Sequence, residues 1–500
     1  MKRATILLLV VTYASVFNVF ARPWLVCNED NDRYFYSKDD AAFTEKGLVD
    51  YFDSISAGGA LTHYFMCVNG QRTSYDSKVW EPIWRGADEP NSAGRTNDAW
   101  CVNAKKVHDR GLDPWAIWIR RAREKDVSPW ISLRMNDTHF ADRNPMFRNE
   151  SFFYAHPELK CRPGKPDWAS MAWNYAEPAV RRHMMDLVQE VLGRWDADGL
   201  ELDWLRFTTH LPPGRERELA HVLTDFIRDV RREVDRTAYR CGHPVKLAAR
   251  VPTNPAAAAG LGLEPETWAK EGLVDLIIAC NFYTTADYNW DFAAYRVKIK
   301  AANPSVEILP GACNMVRLHP SGKGFQMDAD PAFFRAWAAL YGHGENGLYL
   351  FNAFYHKQAV KDWFLGGALA PDRVAEGPRR FLCTWHDINP KGCDAEVQLP
   401  RAASADPVFR VRAARGAADR EVHVVLGFDR QAPLGAVALN GAAAVSASVV
   451  DLQRTFFAAD VVHAASWTFP VAALKDGENR VELTGVPGSP AQVVWCEISL

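Results

Sequence analysis

The chain is nearly without net charge: 58 Lys and Arg against 61 Asp and Glu over 500 residues leave a formal −3. A dedicated nucleic-acid binder would carry a strongly basic domain, so that class is excluded. The same balance, with 48% hydrophobic residues, excludes intrinsic disorder, which combines low hydrophobicity with high charge. No Cys-x-x-Cys occurs, which removes zinc ribbons and thioredoxin-type redox sites. No phosphate-loop motif is present and no glycine-rich turn follows the first candidate strand, so no nucleotide cofactor is expected. Gly-x-Ser-x-Gly is missing too, and with it the serine-hydrolase elbow. Past the N-terminus no segment is long and apolar enough to span a bilayer.

What is present begins with Met1-Lys2-Arg3 and an apolar run from Ala4 to Ala21. A basic start, an apolar stretch and small residues at Val19-Phe20-Ala21 predict a signal peptide over 1–21 and an exported chain, secreted, extracellular or periplasmic. All ten Cys lie beyond that point. Cys383 and Cys393 flank a loop and are the pair an oxidising compartment favours. Cys27, Cys67, Cys280 and Cys313 lie in apolar runs and read as buried thiols.

From Pro23 to about Phe364 short apolar runs alternate with longer amphipathic stretches. The candidate strands are Trp24–Asn28, Leu61–Asn69, Ser128–Asn136, Gly199–Phe207, Val245–Thr253, Val274–Tyr283, Glu307–Asn314 and Gly347–Phe354. Pro178–Trp195 and Glu216–Arg240 read as helices between them. Eight such strands predict a (β/α)8 barrel over 22–365; a doubly wound sheet has fewer. A connector over 366–396 leads to 397–500. There short alternating runs separated by Asn440-Gly441 and Asp476-Gly477 turns predict an all-β sandwich.

Barrel function sits at the carboxyl ends of the strands, and strand residues alternate between interior and helix layer. Ile131, Leu133 and Met135 should face helices, leaving Ser132, Arg134 and Asn136 inward. Leu200 and Leu202 should face out, leaving Glu201 and Asp203 inward. By the same alternation Arg250 points in. Buried charge is tolerated when paired, so Glu201 is expected to be neutralised by Arg134 or Arg250, with Asp203 nearer the rim. Strand ends also carry Asn28, Asn69, Asn136, Asn281, Asn314 and Asn352, a polar crown suited to a hydroxylated ligand. Rim candidates include Glu29, Asp30, Asp32, Asp137, His139, Tyr283, Asp287, Asp291, Tyr355 and His356. His63 reads as a core histidine. Glu29, Asp30, His63 and Asp137 are the residue types a metal would need, but no ligand spacing marks them, and no metal is expected.

The sequence holds 18 Trp. Trp24, Trp130 and Trp204 read as barrel packing. Trp80, Trp84, Trp100, Trp115, Trp118, Trp168, Trp173 and Trp290 fall between strands, where indole faces suit sugar rings. These are expected to wall a binding cleft, with Trp84 and Trp290 as ligand contacts.

The stretch Asp198-Gly199-Leu200-Glu201-Leu202-Asp203-Trp204-Leu205-Arg206-Phe207 resembles the fourth strand of the glycosyl hydrolase-like barrel proteins. Their pattern is Asp-Gly-(apolar)-x-(apolar)-Asp-(aromatic)-x-Arg-(aromatic), matched by Asp198, Gly199, Asp203, Trp204, Arg206 and Phe207. More distantly it is similar to chitinase-like family eighteen. Glu201 and Asp203 take that family's two Asp places, while Leu205 stands where its general acid belongs. The tail, with Leu439-Asn440-Gly441 and the run from Trp467, resembles the galactose-binding-like sandwich. The resemblance implies a glycoside hydrolase acting on a poly- or oligosaccharide through two carboxyl groups. Asp203 is implied as nucleophile or base and Asp287 as acid, with Asp137, Glu29 and Glu201 as competitors. Asn28, Asn136, Asn281, Asn314, Asn352, Tyr283, Arg134 and Arg250 are implied as ligand or carboxylate contacts. A barrel that binds sugar without cleaving it, and a metal-dependent hydrolase, are the alternatives.

Overall fold

The computed structural model describes residues 23–30, 32–37, 39–86, 98–139, 141, 148–162, 171–281, 285–342, 347–352, 364, 366, 377–388, 390, 393 and 396–500. The predicted signal peptide, Trp168, Tyr283, Tyr355 and His356 lie outside these residues. No described helix is long and apolar enough to cross a membrane.

Parallel strands β1 (Leu25–Glu29), β2 (His63–Cys67), β3 (Ser128–Arg134), β4 (Gly199–Asp203), β5 (Lys246–Pro252), β6 (Leu276–Cys280) and β7 (Glu307–Ala312) are followed by a small hairpin of β8 (Met315–Val316) and β9 (Phe325–Gln326). Strand β10 (Leu348–Leu350) then returns between β7 and β1 and closes an eight-stranded barrel. Seven of the eight barrel strands fall inside the predicted runs, and β1 runs one residue past its own, to Glu29. The helices are α1 (Glu45–Ile55), α2 (Ala99–Asp109), α3 (Pro114–Glu124), α4 (Ser151–Ala155), α5 (Pro178–Arg194), α6 (Ala220–Cys241), α7 (Pro255–Gly260), α8 (Pro265–Lys270), α9 (Phe292–Ala302) and α10 (Pro331–Tyr341). Helix α5 opens at Pro178, whose missing N–H costs nothing at the first position. Helix α6 starts at Ala220, four residues later than the periodicity suggests.

The predicted parity holds. Ile131, Leu133, Leu200, Leu202, Leu247, Ala249 and Val251 pack into the large core between strands and helices. Val26, Phe65, Trp130, Ala248, Ile278, Leu309 and Tyr349 form a separate cluster inside the barrel. Trp130 stacks on Phe65 at 4.7 Å and fills the space above Gly199, where a Cβ would land in the indole ring. That close approach is why the fourth strand opens on glycine.

The C-terminal part is two antiparallel sheets. One runs β11 (Arg380–Leu382), β20 (Gln492–Ser499), β14 (Glu421–Phe428), β18 (His463–Pro470), β17 (Ser446–Val449), with β12 (Arg401–Ala402) also on β20. The other runs β13 (Val408–Ala413), β19 (Gly477–Thr484), β15 (Ala436–Leu439), β16 (Ala442–Ala443). Strand β11 comes from the stretch read as connector. The sandwich is bolted to the barrel by buried Arg380. It bonds Glu497 at 2.8 Å and Asp330 at 3.1 Å and lies 4.5 Å over the Phe333 ring.

All ten cysteines are free, so the expected Cys383–Cys393 bond is not formed. The two thiols sit in different cores: Cys383 beside β20, Cys393 against the barrel-interior cluster, where it accepts from Asn254 at 3.6 Å. Cys27, Cys67, Cys280 and Cys313 are buried as expected.

Candidate active site

Register brings the site together. In the β3–β4–β5 ladder Arg134 is level with Asp203, and Asp203 with Arg250. The two arginines therefore flank Asp203, and the expected pairing of Glu201 with either is corrected. Arg250 donates to Asp203 Oδ1 at 2.7 Å, and the Leu205 N–H donates to the same oxygen at 2.9 Å. Arg250 also donates to the Asn281 carbonyl at 3.0 Å and stacks on Phe351 at 3.8 Å. Arg134 turns to the rim, where it pairs with Asp30 and, at 2.8 Å, with Asp137.

Glu201 lies two residues deeper along β4 and is wholly buried. Its partners are neutral: Tyr349 donates to Oε1 at 2.7 Å, Asn28 to Oε2 at 3.2 Å, and Ser132 also bonds it. Burial first, then the charge of Asp203, push its carboxyl up to about 7. A folded value of about 7 against an ordinary 4.5 means the folded state binds more protons between those pH values. Stability therefore falls as pH rises through that window, by about 3 kcal/mol for this group. Glu201→Gln is expected to remove that slope. Urea unfolding at pH 5 and pH 8 should show the variant gaining on the parent as pH rises; parallel pH profiles would refute the assignment.

A second set of charges lies on the rim. Burial raises the Asp30 and Asp137 carboxyls, but their polar partners outweigh it: Arg134 and Arg206 for Asp30, the hydrogen-bonded His139 and Arg134 for Asp137. Both are held below the usual carboxylate range. His139 donates from Nδ1 to Asp137 at 2.7 Å and accepts at Nε2 from Arg206 at 2.9 Å, which fixes its neutral tautomer. Asp32, two residues beyond Asp30, behaves oppositely. Burial and the Asp30 charge push it up to about 7, against the opposing charges of Arg134, Arg148 and Arg206, and Arg148 lies 4.0 Å away. Its side chain remains 18% exposed.

The other sequence candidates are placed as follows. Glu29 points away from the barrel interior toward α1, where Tyr51 donates to it at 3.4 Å. Asp287 is fully buried against the sandwich junction. It pairs with His386 and accepts from Thr384 at 3.0 Å and the Asn289 N–H at 2.7 Å. Burial raises it, but His386 and those donors outweigh the effect and hold it low. That environment keeps a base, not a proton donor.

The asparagine crown is mostly scaffold. Asn69 brackets the Arg134 backbone, accepting from its N–H and donating to its carbonyl at 3.1 Å each. Asn136 holds Trp173 and Thr209, Asn281 holds Thr253 and Thr285, and Asn314 holds Gln326. Asn28 alone among them reaches a carboxylate of the pair. Asn352, at φ 50°, leaves its buried Oδ1 without a partner among the described residues.

The tryptophan wall is also corrected. Trp80, Trp84, Trp100, Trp115, Trp118, Trp173 and Trp290 are all buried. Trp84 stacks on His108 at 5.2 Å, Trp80 on His183 at 4.6 Å, and Trp115 packs on Trp118 and Trp195. Trp80, Trp100 and Trp118 donate their indole N–H groups inside the protein, the last to the Leu48 carbonyl at 2.9 Å. Trp290 packs on Tyr341 and lines a groove of about 820 Å³ between α9, α10 and β13. Long excursions between barrel strands need cores of their own, and these rings supply them. Trp24, Trp130 and Trp204 are barrel packing as expected.

His63 is the core histidine expected. It stacks on Trp24 at 3.9 Å, and burial pushes it down to about 3. It starts β2, at the end of the barrel opposite Asp137, so a set of Glu29, Asp30, His63 and Asp137 cannot converge. Leu205, at the place of the chitinase-type acid, packs into the barrel-interior cluster.

No protein-family model matches the chain, and no curated protein sequence does either. Among solved structures it is similar to alpha-L-fucosidase isoenzyme 2 from Paenibacillus thiaminolyticus, at 13% identity over 69% of this chain and 49% of that one, TM-score 0.39. It is also similar to an alpha-galactosidase from Geobacillus stearothermophilus, at 12% over 93% and 56%, TM-score 0.36. A maltogenic alpha-amylase from Thermotoga neapolitana is similar at 10% over 95% and 99%, TM-score 0.40. The chain spans about half the length of the first two. All three carry glycosidase names, but likeness this distant carries no argument about activity, and the barrel stands on its own strand ladder.

Proposed function

We propose that the chain is an exported glycoside hydrolase cleaving O-glycosidic bonds of a poly- or oligosaccharide. The observation that carries this reading is the pairing of environments at the carboxyl face of the barrel. Asp203 is an arginine-paired carboxylate at the end of β4. Asp32, in the loop after β1, is a carboxyl whose surroundings keep it protonated near neutral pH. Glycosidases need such a division, one group held ionised and one held protonated. Among the carboxyls considered, only Asp32 combines a raised pKa with access to solvent. Glu201 is raised but sealed, while Asp137 and Asp287 are held ionised by cations. Asp203 then acts as nucleophile or base and Asp32 as proton donor, with Arg134 and Arg206 holding the rim carboxylates in place. The fourth-strand resemblance supports the same class, and buried Leu205 argues against chitinase-type acid catalysis on β4.

The test uses aryl glycosides of graded leaving-group acidity. A lost proton donor hurts poor leaving groups most, because good ones depart without protonation. Asp32→Asn is expected to slow glycosides of weakly acidic alcohols by about 10²-fold or more and to spare a dinitrophenyl glycoside. The neutral-to-alkaline limb, where activity falls as a proton donor with a pKa near 7 ionises, should vanish from the kcat/KM profile. Equal slowing of all substrates would remove Asp32 from the role, and no hydrolysis of any glycoside by the parent protein would overturn the function.

A further inference from the structure

The face of the barrel opposite Asp203 carries a separate set of metal-ligating side chains. Asp196, Cys241 and His243 present a carboxylate oxygen, a thiol sulfur and a ring nitrogen all within 4.8 Å of one another. They arrive from two connections: Asp196 lies between α5 and β4, and Cys241 and His243 close α6 ahead of β5. Gly242, at φ 75°, ends α6 in the left-handed region and turns the chain between the two α6 ligands.

His243 and Asp196 are oriented from behind. His243 Nδ1 lies 3.0 Å from the Pro244 carbonyl, which can only accept, so Nδ1 carries the hydrogen and Nε2 faces the cluster. That is how second-shell groups present an imidazole to a metal. Nε2 is 2.6 Å from Asp196 Oδ1. The other carboxylate oxygen, Oδ2, is held at 2.7 Å by Arg123, which leaves Oδ1 turned inward. Cys241 is an exposed thiol, whereas the other nine cysteines are buried. Zinc sits at about 2.0–2.3 Å from N, O and S ligands, so side-chain adjustments of about an ångström close the shell around one ion.

We propose that Asp196 Oδ1, Cys241 Sγ and His243 Nε2 bind one divalent cation of the zinc class, with water as fourth ligand. Binding replaces the proton between Nε2 and Oδ1 and the thiol proton; both leave to solvent, and nothing is oxidised or reduced. The ion staples the α5–β4 and α6–β5 connections at the foot of β4, and it is independent of the carboxylates at the far end of that strand.

The test uses the full chain, stripped with chelator and dialysed, then titrated with zinc(II) against a chromophoric competitor and with cobalt(II) by absorption. One ion per chain and a thiolate-to-cobalt charge-transfer band are expected, with zinc raising the thermal midpoint. Cys241→Ser should abolish the band, and His243→Ala should weaken zinc binding more than about tenfold. Cys161→Ser, which removes a buried thiol, should change neither. Circular dichroism checks that the surface variants are folded. No bound ion, or binding that survives both Cys241→Ser and His243→Ala, would overturn the proposal.

Discussion

Asp203→Asn is expected to lower kcat/KM on a hydrolysed glycoside by about 10³-fold or more, equivalent to about 4 kcal/mol of lost transition-state stabilisation. The asparagine keeps an oxygen for the Leu205 N–H and Arg250, so the strand end keeps its geometry while losing the charge that attacks or activates water. The variant should still bind substrate, and its circular dichroism should match the parent. The comparison that gives the result its meaning is Glu201→Gln, two residues away on the same strand. Glu201 is sealed and protonated near neutral pH, so an amide keeps its neutrality and the bond its oxygen accepts from Tyr349, and activity should stay within about tenfold of the parent. Loss of activity in both variants alike would mean that the layer matters as scaffold. Near-normal turnover in Asp203→Asn would remove Asp203 from the chemistry.

The contrast between these two carboxyls marks where sequence stops being informative. Alternation along β3, β4 and β5 was enough to place Ser132, Arg134, Glu201, Asp203 and Arg250 inward, because one residue of slip would expose every apolar partner to the wrong layer. Which arginine meets which carboxylate depends on stagger between neighbouring strands, and alternation says nothing about stagger. The asparagines and tryptophans failed for a related reason. A polar residue at a strand end serves equally well to tie a loop, as Asn136 does to Trp173 and Thr209, or to bind a ligand. An indole in a long excursion serves equally well as core. Asp32 stood among the rim acids without distinction because its raised pKa comes from burial and from Asp30, neither of which is a local sequence property. Asp196 and His243 stand 47 positions apart, with no motif joining them.

Arg250 carries the largest expected effect on stability. Its side chain is fully buried, and that of Asp203 is 2% exposed. Replacing Arg250 by Met keeps volume and the apolar contact with Phe351, but it leaves Asp203 in the barrel without its ion-pair partner. Breaking a buried pair from one side costs about 3–5 kcal/mol, whereas replacing both members is far milder. Arg250→Met should therefore lose about that much in urea unfolding, and adding Asp203→Asn to it should recover a large part. A double-mutant cycle isolates the coupling. The same guanidinium bonds the Asn281 carbonyl, so it joins β4 to the end of β6. If the two substitutions instead prove additive, the contact contributes no coupling energy, and the Leu205 N–H is left to orient Asp203.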